Sequence, residues 1–209
     1  MFQNRLEAGK VLARELKEYK NVPGVVLAVP RGGIPVGYVV AKELNLPLDL
    51  VLTKKIGHPF SKEYAIGAVS LTDSFIVPHP DVSPDYIDEE TNAVREKLKA
   101  MSRKFLGDKK HEVLKDKTVI VVDDGIATGS TLLATINILR KQNPKKIVIA
   151  VPVAPDSAIQ KLKKVADEVI SVMIPEEFYG VGAFYENFHQ VTDDEVLFYL
   201  NKLSEERSK

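Results

Sequence analysis

Thirteen consecutive residues combine charge, small side chains and hydroxyls: Val119-Ile120-Val121-Val122-Asp123-Asp124-Gly125-Ile126-Ala127-Thr128-Gly129-Ser130-Thr131. The apolar, β-branched stretch 118–122 predicts a buried parallel strand. An amphipathic helix is predicted over 132–142, with Ser130 and Thr131 suited to cap it. In the loop between them, Gly125, Ala127 and Gly129 flank or follow Ile126 and let backbone N–H groups approach a ligand. Thr128, Ser130 and Thr131 add hydroxyls. Together with the positive end of the helix, this composition suits a phosphate. Two carboxylates beside an anion site call for a ligand that also carries hydroxyls or a metal ion. A ribose 5-phosphate satisfies both halves, with its phosphate in the loop and its 2′ and 3′ hydroxyls on Asp123 and Asp124. The plainer alternative is an ordinary strand, turn and helix of an α/β protein.

Two other phosphate loops are excluded. No lysine follows Gly129, so the run is not G-x-x-x-x-G-K-[ST]. It is not G-x-G-x-x-G either, and no strand-ending acid follows about twenty residues on. A second strand end has related chemistry: Ala28-Val29-Pro30-Arg31-Gly32-Gly33-Ile34-Pro35. Arg31 offers a forked donor, and Gly32 and Gly33 offer bare backbone N–H groups, a set that suits a pyrophosphate. The alternative there is a glycine turn with a solvated arginine.

The elements that must position these residues alternate along the chain. A helix is predicted over 2–19, a strand over 25–29, a helix from Pro35 to residue 44 and a strand over 48–53. Short strands follow at 66–70 and 75–77, then a long helix over 84–106 with Ile87, Val94, Leu98, Met101 and Phe105 on one side. After the signature come a strand at 146–151, a helix at 157–165, a strand at 168–173 and a last helix at 193–203. Such alternation implies an α/β fold, a mostly parallel twisted sheet with helices on both faces. Ligands then bind at the carboxyl ends of the strands. The 209 residues suit a single domain, 1–209, able to bury a real core.

Composition narrows the function classes. Lys plus Arg and Asp plus Glu both number 29, which disfavours a nucleic-acid partner. The absence of cysteine removes thiolate chemistry and Cys-ligated metals. The N-terminus lacks the apolar core of a signal peptide, and the apolar stretches are strand-sized, so no membrane partner is expected and a cytoplasmic location is.

The ungapped run acid-acid-Gly-x-x-Thr-Gly-Ser-Thr over 123–131 resembles the signature with which type I phosphoribosyltransferases bind phosphoribosyl pyrophosphate (PRPP). The resemblance is tight there, fair over 29–35 and loose elsewhere between about 22 and 193. It implies the type I phosphoribosyltransferase fold with a small hood subdomain at about 174–192, and transfer of the phosphoribosyl group to a nitrogenous acceptor such as a purine or pyrimidine base. It further implies Mg²⁺, held through substrate oxygens with Asp123 or Asp124 as candidate protein contacts, and a homodimer. Arg31 to Gly33 would be the pyrophosphate loop, with a strained or cis peptide between Arg31 and Gly32. Lys55, rather than Lys54, would meet the leaving pyrophosphate at the end of its strand. A flexible loop at about 56–65 would close over the site, with His58, Lys62 and Glu63 as contributors. In the hood, which carries five of the chain's fifteen Phe and Tyr residues, Phe184 and Tyr185 would stack on the acceptor. Where relatives carry an Arg-Gly pair after the long helix, this chain reads Arg103-Lys104-Phe105-Leu106-Gly107. Two other readings stay open: a non-catalytic PRPP-binding regulator, and a pyrophosphoryl transferase that makes the activated sugar.

Overall fold

The computed structural model describes residues 1–207, with Glu63 described through its backbone alone. The chain runs α1 (Arg5–Glu15), β1 (Gly24–Ala28), α2 (Gly33–Leu44), β2 (Leu48–Leu50), β3 (Thr53–His58), β4 (Ser61–Ser70) and β5 (Ser74–Ile76). It continues through α3 (Pro84–Leu106), β6 (Thr118–Val122), α4 (Ser130–Arg140), β7 (Lys146–Val153), α5 (Asp156–Leu162), β8 (Glu168–Met173) and α6 (Asp193–Arg207). Five strands form a parallel sheet in the order β2-β1-β6-β7-β8, and β3-β4-β5 form a separate antiparallel sheet.

All five residues of β1 and all five of β6 are buried. That is why their sequences read as continuous apolar runs rather than as alternations. Val26, Ile120, Val122 and Val148 pack on one face against α1 and α2, through Leu12, Leu16, Val36 and Val40. Val25, Leu27, Val119, Val121 and Ile149 pack on the other face against α4 and α5, through Leu132, Ile136, Ile159 and Leu162. A third cluster joins the small sheet to α3 and α6, with Ile56, Ile66, Val94, Leu98 and Leu200 at its centre. Among the described residues, no helix is long and apolar enough to cross a membrane.

Several expectations need correction. The first helix starts at Arg5, where the Asn4 side chain accepts from the N–H groups of Leu6 and Glu7, each at 3.0 Å. Phe2 lies outside it and bridges to Tyr185. The segment expected as a flexible loop at 56–65 is mostly a β-hairpin. Gly57, read as a loop residue, instead admits the close approach of the opposite strand: a Cβ there would lie 2.4 Å from the Lys62 carbonyl oxygen. The pairing register shifts around the same residue, the usual place for glycine in a bulged strand. The hairpin is tied down by Lys62 to Glu90 at 2.8 Å, by Tyr86 Oη to the Gly57 carbonyl at 2.8 Å and by His58 to Asp81 at 2.9 Å. The contribution expected of the Glu63 side chain lies outside the described residues. β2 ends at Leu50, so Lys54 and Lys55 do not close it. Both fall inside β3, Lys54 exposed and Lys55 half-buried.

The edge strand β2 is held by a buried carboxylate. Asp49 accepts from the Leu50 N–H at 2.7 Å, the Glu112 N–H at 2.8 Å and His111 Nδ1 at 3.1 Å. This ties the segment after α3 to the sheet. The hydrogen bond to Asp49 raises the His111 pKa above its ordinary 6.5, against a smaller opposing effect of burial. Because the folded value is raised, the stabilisation is complete below about pH 6.5 and is lost as pH rises through the raised value. Urea denaturation should therefore show this contribution constant below about pH 6.5 and falling as pH rises above it, and His111→Gln should flatten that part of the profile.

Candidate active site

Strand order creates the crevice. From β1 the chain crosses through α2 to β2 on one side. From β6 it crosses through α4 to β7 on the other, with α2 and α4 on opposite faces. The neighbouring carboxyl ends of β1 and β6 are thus a topological switch point, where open parallel sheets bind ligands. Both stretches singled out in the sequence, 29–33 and 123–131, leave the sheet there. The Val29 N–H donates to the Val122 carbonyl at 2.9 Å and extends the pairing into the site.

The two acids have different surroundings. Asp123 Oδ1 accepts the Asp124 N–H at 2.8 Å. Desolvation, and then the charge of Asp124, push its carboxyl well above the usual carboxylate range. Asp124 Oδ2 accepts from Arg5 Nε at 2.8 Å, with the two side chains only 14% and 8% exposed. The Asp124 backbone carbonyl accepts the Tyr185 hydroxyl at 2.6 Å. Burial, followed by the Asp124 charge, raises the Tyr185 phenol above its ordinary value, so it stays a donor.

Beyond the acids, the loop separates into anchors and an open edge. Gly125, Ile126 and Gly129 are buried, while Ala127, Thr128, Ser130 and Thr131 are exposed. The Ile126 N–H donates to the Val153 carbonyl at 2.9 Å and its side chain joins the core, so Ile126 anchors the loop. A Cβ on Gly125 would lie 2.5 Å from Val181 of the hood. Helix α4 begins at Ser130, two residues before the predicted start. The residue before it is Gly129, at φ +72°, which has no side chain to cap the helix, and the Thr128 hydroxyl accepts the Ser130 N–H only at 3.4 Å. The capping expected of Ser130 and Thr131 is therefore not made. Both are helical residues, and an uncapped first turn presents its N–H groups outward, as anion sites do.

Arg31, Gly32 and Gly33 come up against the acids from β1. The cis peptide lies between Pro30 and Arg31, one bond earlier than expected. A Cβ on Gly32 would lie 2.1 Å from Asp124 Oδ2, and one on Gly33 would meet the Val122 carbonyl at 2.8 Å and Asp123 Cα at 2.9 Å. The Gly33 N–H is engaged by the Val29 carbonyl at 3.0 Å, so the two glycines serve close approach as much as ligand access. The Arg31 side chain, 43% exposed, pairs through Nε with Asp193 Oδ1 at 2.7 Å at the start of α6. Lys104 shares Asp193 and, ahead of Arg31, lowers its pKa. This places a cation from the C-terminal end of α3 beside the site.

The hood is packed differently from the expectation. Tyr185 is buried and packs against the rings of Phe2 and Phe188, with centroids at 5.4 and 5.0 Å, so it offers no free face for stacking. Phe184 stacks on Phe178 at 5.7 Å. The N-terminal segment is threaded into the hood by Phe2 N–H to the Phe184 carbonyl, Glu186 N–H to the Phe2 carbonyl, both 2.8 Å, and Asn187 N–H to the Gln3 carbonyl at 3.0 Å. Sequence reasoning missed Arg5 altogether. Its contact with Asp124 spans 119 positions, and no local pattern signals it.

A parallel α/β sheet with an acid pair and a helix start at its switch point has the layout of an open α/β protein with a ligand crevice. The comparisons make this specific. Residues 3–187 match the phosphoribosyl transferase domain family. A Mycobacterium tuberculosis protein (strain H37Rv), provisionally named a phosphoribosyl transferase, is 36% identical over 207 residues, covering 97% of this chain and 47% of its own length. The chain therefore spans about half the length of the curated relatives it matches over its whole course. The crystal structure of TT1426 from Thermus thermophilus superposes with a TM-score of 0.86 at 34% identity, covering 97% of this chain and 98% of that one. A ribose-phosphate pyrophosphokinase from Pyrococcus furiosus is 40% identical over a stretch of 58 residues, 27% of this chain and 21% of its own length. The chain belongs to the phosphoribosyl transferase domain family.

The two glycines should differ in what an added Cβ costs. Gly33→Ala forces backbone against backbone and should cost about 1–3 kcal/mol in urea denaturation. Gly32→Ala instead meets the Asp124 side chain, which can shift where backbone cannot, so it should cost less than Gly33→Ala in the same measurement.

Proposed function

We propose that the protein transfers the 5-phosphoribosyl group of PRPP to a nitrogenous acceptor, of the purine or pyrimidine class, and releases pyrophosphate. The observation that carries this reading is the meeting of Asp123 and Asp124 with the uncapped start of α4 at one switch point. In it, the exposed edge of Ala127, Thr128, Ser130 and Thr131, with Gly125 and Gly129 shaping the loop, holds the 5-phosphate. Asp123 and Asp124 orient the ribose hydroxyls. Arg31, the Gly32 backbone and Lys55 stabilise the departing pyrophosphate. The acceptor nitrogen attacks the anomeric carbon as the bond from that carbon to the pyrophosphate oxygen breaks. The electron pair leaves with pyrophosphate, and the nitrogen then loses its proton. Positioning and charge stabilisation supply the rate, so no protein nucleophile is required.

Mg²⁺ belongs to this proposal through the substrate. Among the described residues, no group of three or more His, Cys, Asp and Glu could hold a metal unaided. An adjacent carboxyl pair beside pyrophosphate oxygens and water does suit a hard cation. When bound, Mg²⁺ would neutralise charge on the leaving group. A homodimer completes the proposal, from the family resemblance.

A panel of purines and pyrimidines with PRPP and Mg²⁺ should give acceptor-dependent pyrophosphate release for at least one member. Tight PRPP binding without turnover on any acceptor would favour the regulator, and no binding would overturn the reading. Asp124→Asn should weaken PRPP binding by about tenfold or more with the circular dichroism spectrum unchanged.

A further inference from the structure

Arg5 is a long cationic side chain that is buried, comes from the first turn of α1, and reaches the far end of the molecule's sequence. Its Nε donates to Asp124 Oδ2 at 2.8 Å and its Nη1 to the His189 carbonyl at 2.8 Å. Its guanidinium carbon lies 3.9 Å from the Phe188 ring centroid. One planar group thus touches the signature acid, the hood backbone and a hood aromatic at once. Gly32 lies against the same carboxylate: a Cβ there would be 2.1 Å from Oδ2 but 3.2 Å from Oδ1. With Oδ2 taken by Arg5 and crowded by Gly32, Oδ1 is the oxygen turned away from both.

We propose that Arg5 is a positioning residue of the transfer site, fixing the Asp124 carboxylate for the ribose hydroxyls and setting the hood relative to the bound donor. This rests on the reading of the site as a PRPP site. The forked guanidinium suits the task because its donors lie in one plane and engage two acceptors in fixed directions, while its face stacks on an aromatic ring. A lysine ammonium at the same position has the charge but not the plane. The backbone hydrogen bonds linking Phe2, Gln3, Phe184, Glu186 and Asn187 bring the N-terminal arm and the hood together. Arg5 is the link that carries that pairing on to the donor site.

The test is calorimetric titration of PRPP with Mg²⁺ into wild-type protein, Arg5→Met and Arg5→Lys, followed by steady-state kinetics with the best acceptor. Arg5→Met should weaken donor binding by about 10- to 100-fold, the range expected on losing a hydrogen bond to a charged group. Arg5→Lys should recover part of it. In Arg5→Ala, added methylguanidinium should restore donor affinity, which a strut needed only for folding would not allow. Donor affinity within about twofold of wild type in folded Arg5→Met, or tighter than wild type, overturns the proposal and leaves the site reading standing. Should Arg5→Met fail to fold, unchanged affinity in Arg5→Lys overturns it in the same way. Absence of PRPP binding to wild type overturns both.

Discussion

The pairing of β1 with β6 is the constraint on which the site depends. The two strands run parallel in register from Gly24 opposite Thr118 to Ala28 opposite Val122, with every residue buried. Their carboxyl ends therefore arrive at one level, a single hydrogen bond from Val29 to Val122 short of the two loops. Burial on both faces fixes this register, because truncating any of the large side chains leaves a cavity costing about 1–5 kcal/mol. Nothing in either loop needs to specify where the other lies. The loops need only tolerate the closeness, and Gly32 and Gly33 do so by lacking the Cβ atoms that would strike Asp124 and the backbone of β6.

Two adjacent acids repel one another, and their surroundings act on the two differently. Desolvation and then the Asp124 charge push the Asp123 carboxyl well above the usual carboxylate range. Arg5 offsets the second charge from the side of the hood. A buried ion pair contributes little net stability, since desolvating both partners costs about what their attraction returns. The value of this one lies in geometry. Removing either member would leave a charge in a poorly hydrated place, which holds both in position.

The parts of this arrangement that were legible in the sequence are those with local patterns. The β-branched run of β6, the amphipathic stripe of α3 and the small-residue loop each depend on neighbours within a few positions, and each lies where expected. What was not legible depends on distant partners. Gly57 reads as a loop residue, and only the approach of Lys62 across the hairpin shows that its missing side chain serves a strand. Phe2 fits a helical face by spacing, yet the free edge of the hood draws it into a bridge with Tyr185. Arg5 looks like one more surface cation of a balanced chain until α1 is docked on the sheet. Tyr185 is aromatic in the segment resembling an acceptor hood, but no pattern distinguishes a ring facing a ligand from one facing Phe2 and Phe188.

That last distinction limits how an acceptor can be met. Tyr185 gives both its ring and its hydroxyl to the protein, and Phe188 lies under Arg5. Phe178 and Phe184 cover one another with their planes 20° apart. These four aromatics thus hold the hood together and attach it to Asp124, while Tyr179 stands 82% exposed. Under the proposed transfer, an acceptor would therefore meet a hood that is already assembled. Preassembly of this kind lowers the ordering cost of binding, because the rings and backbone that form the hood are fixed beforehand.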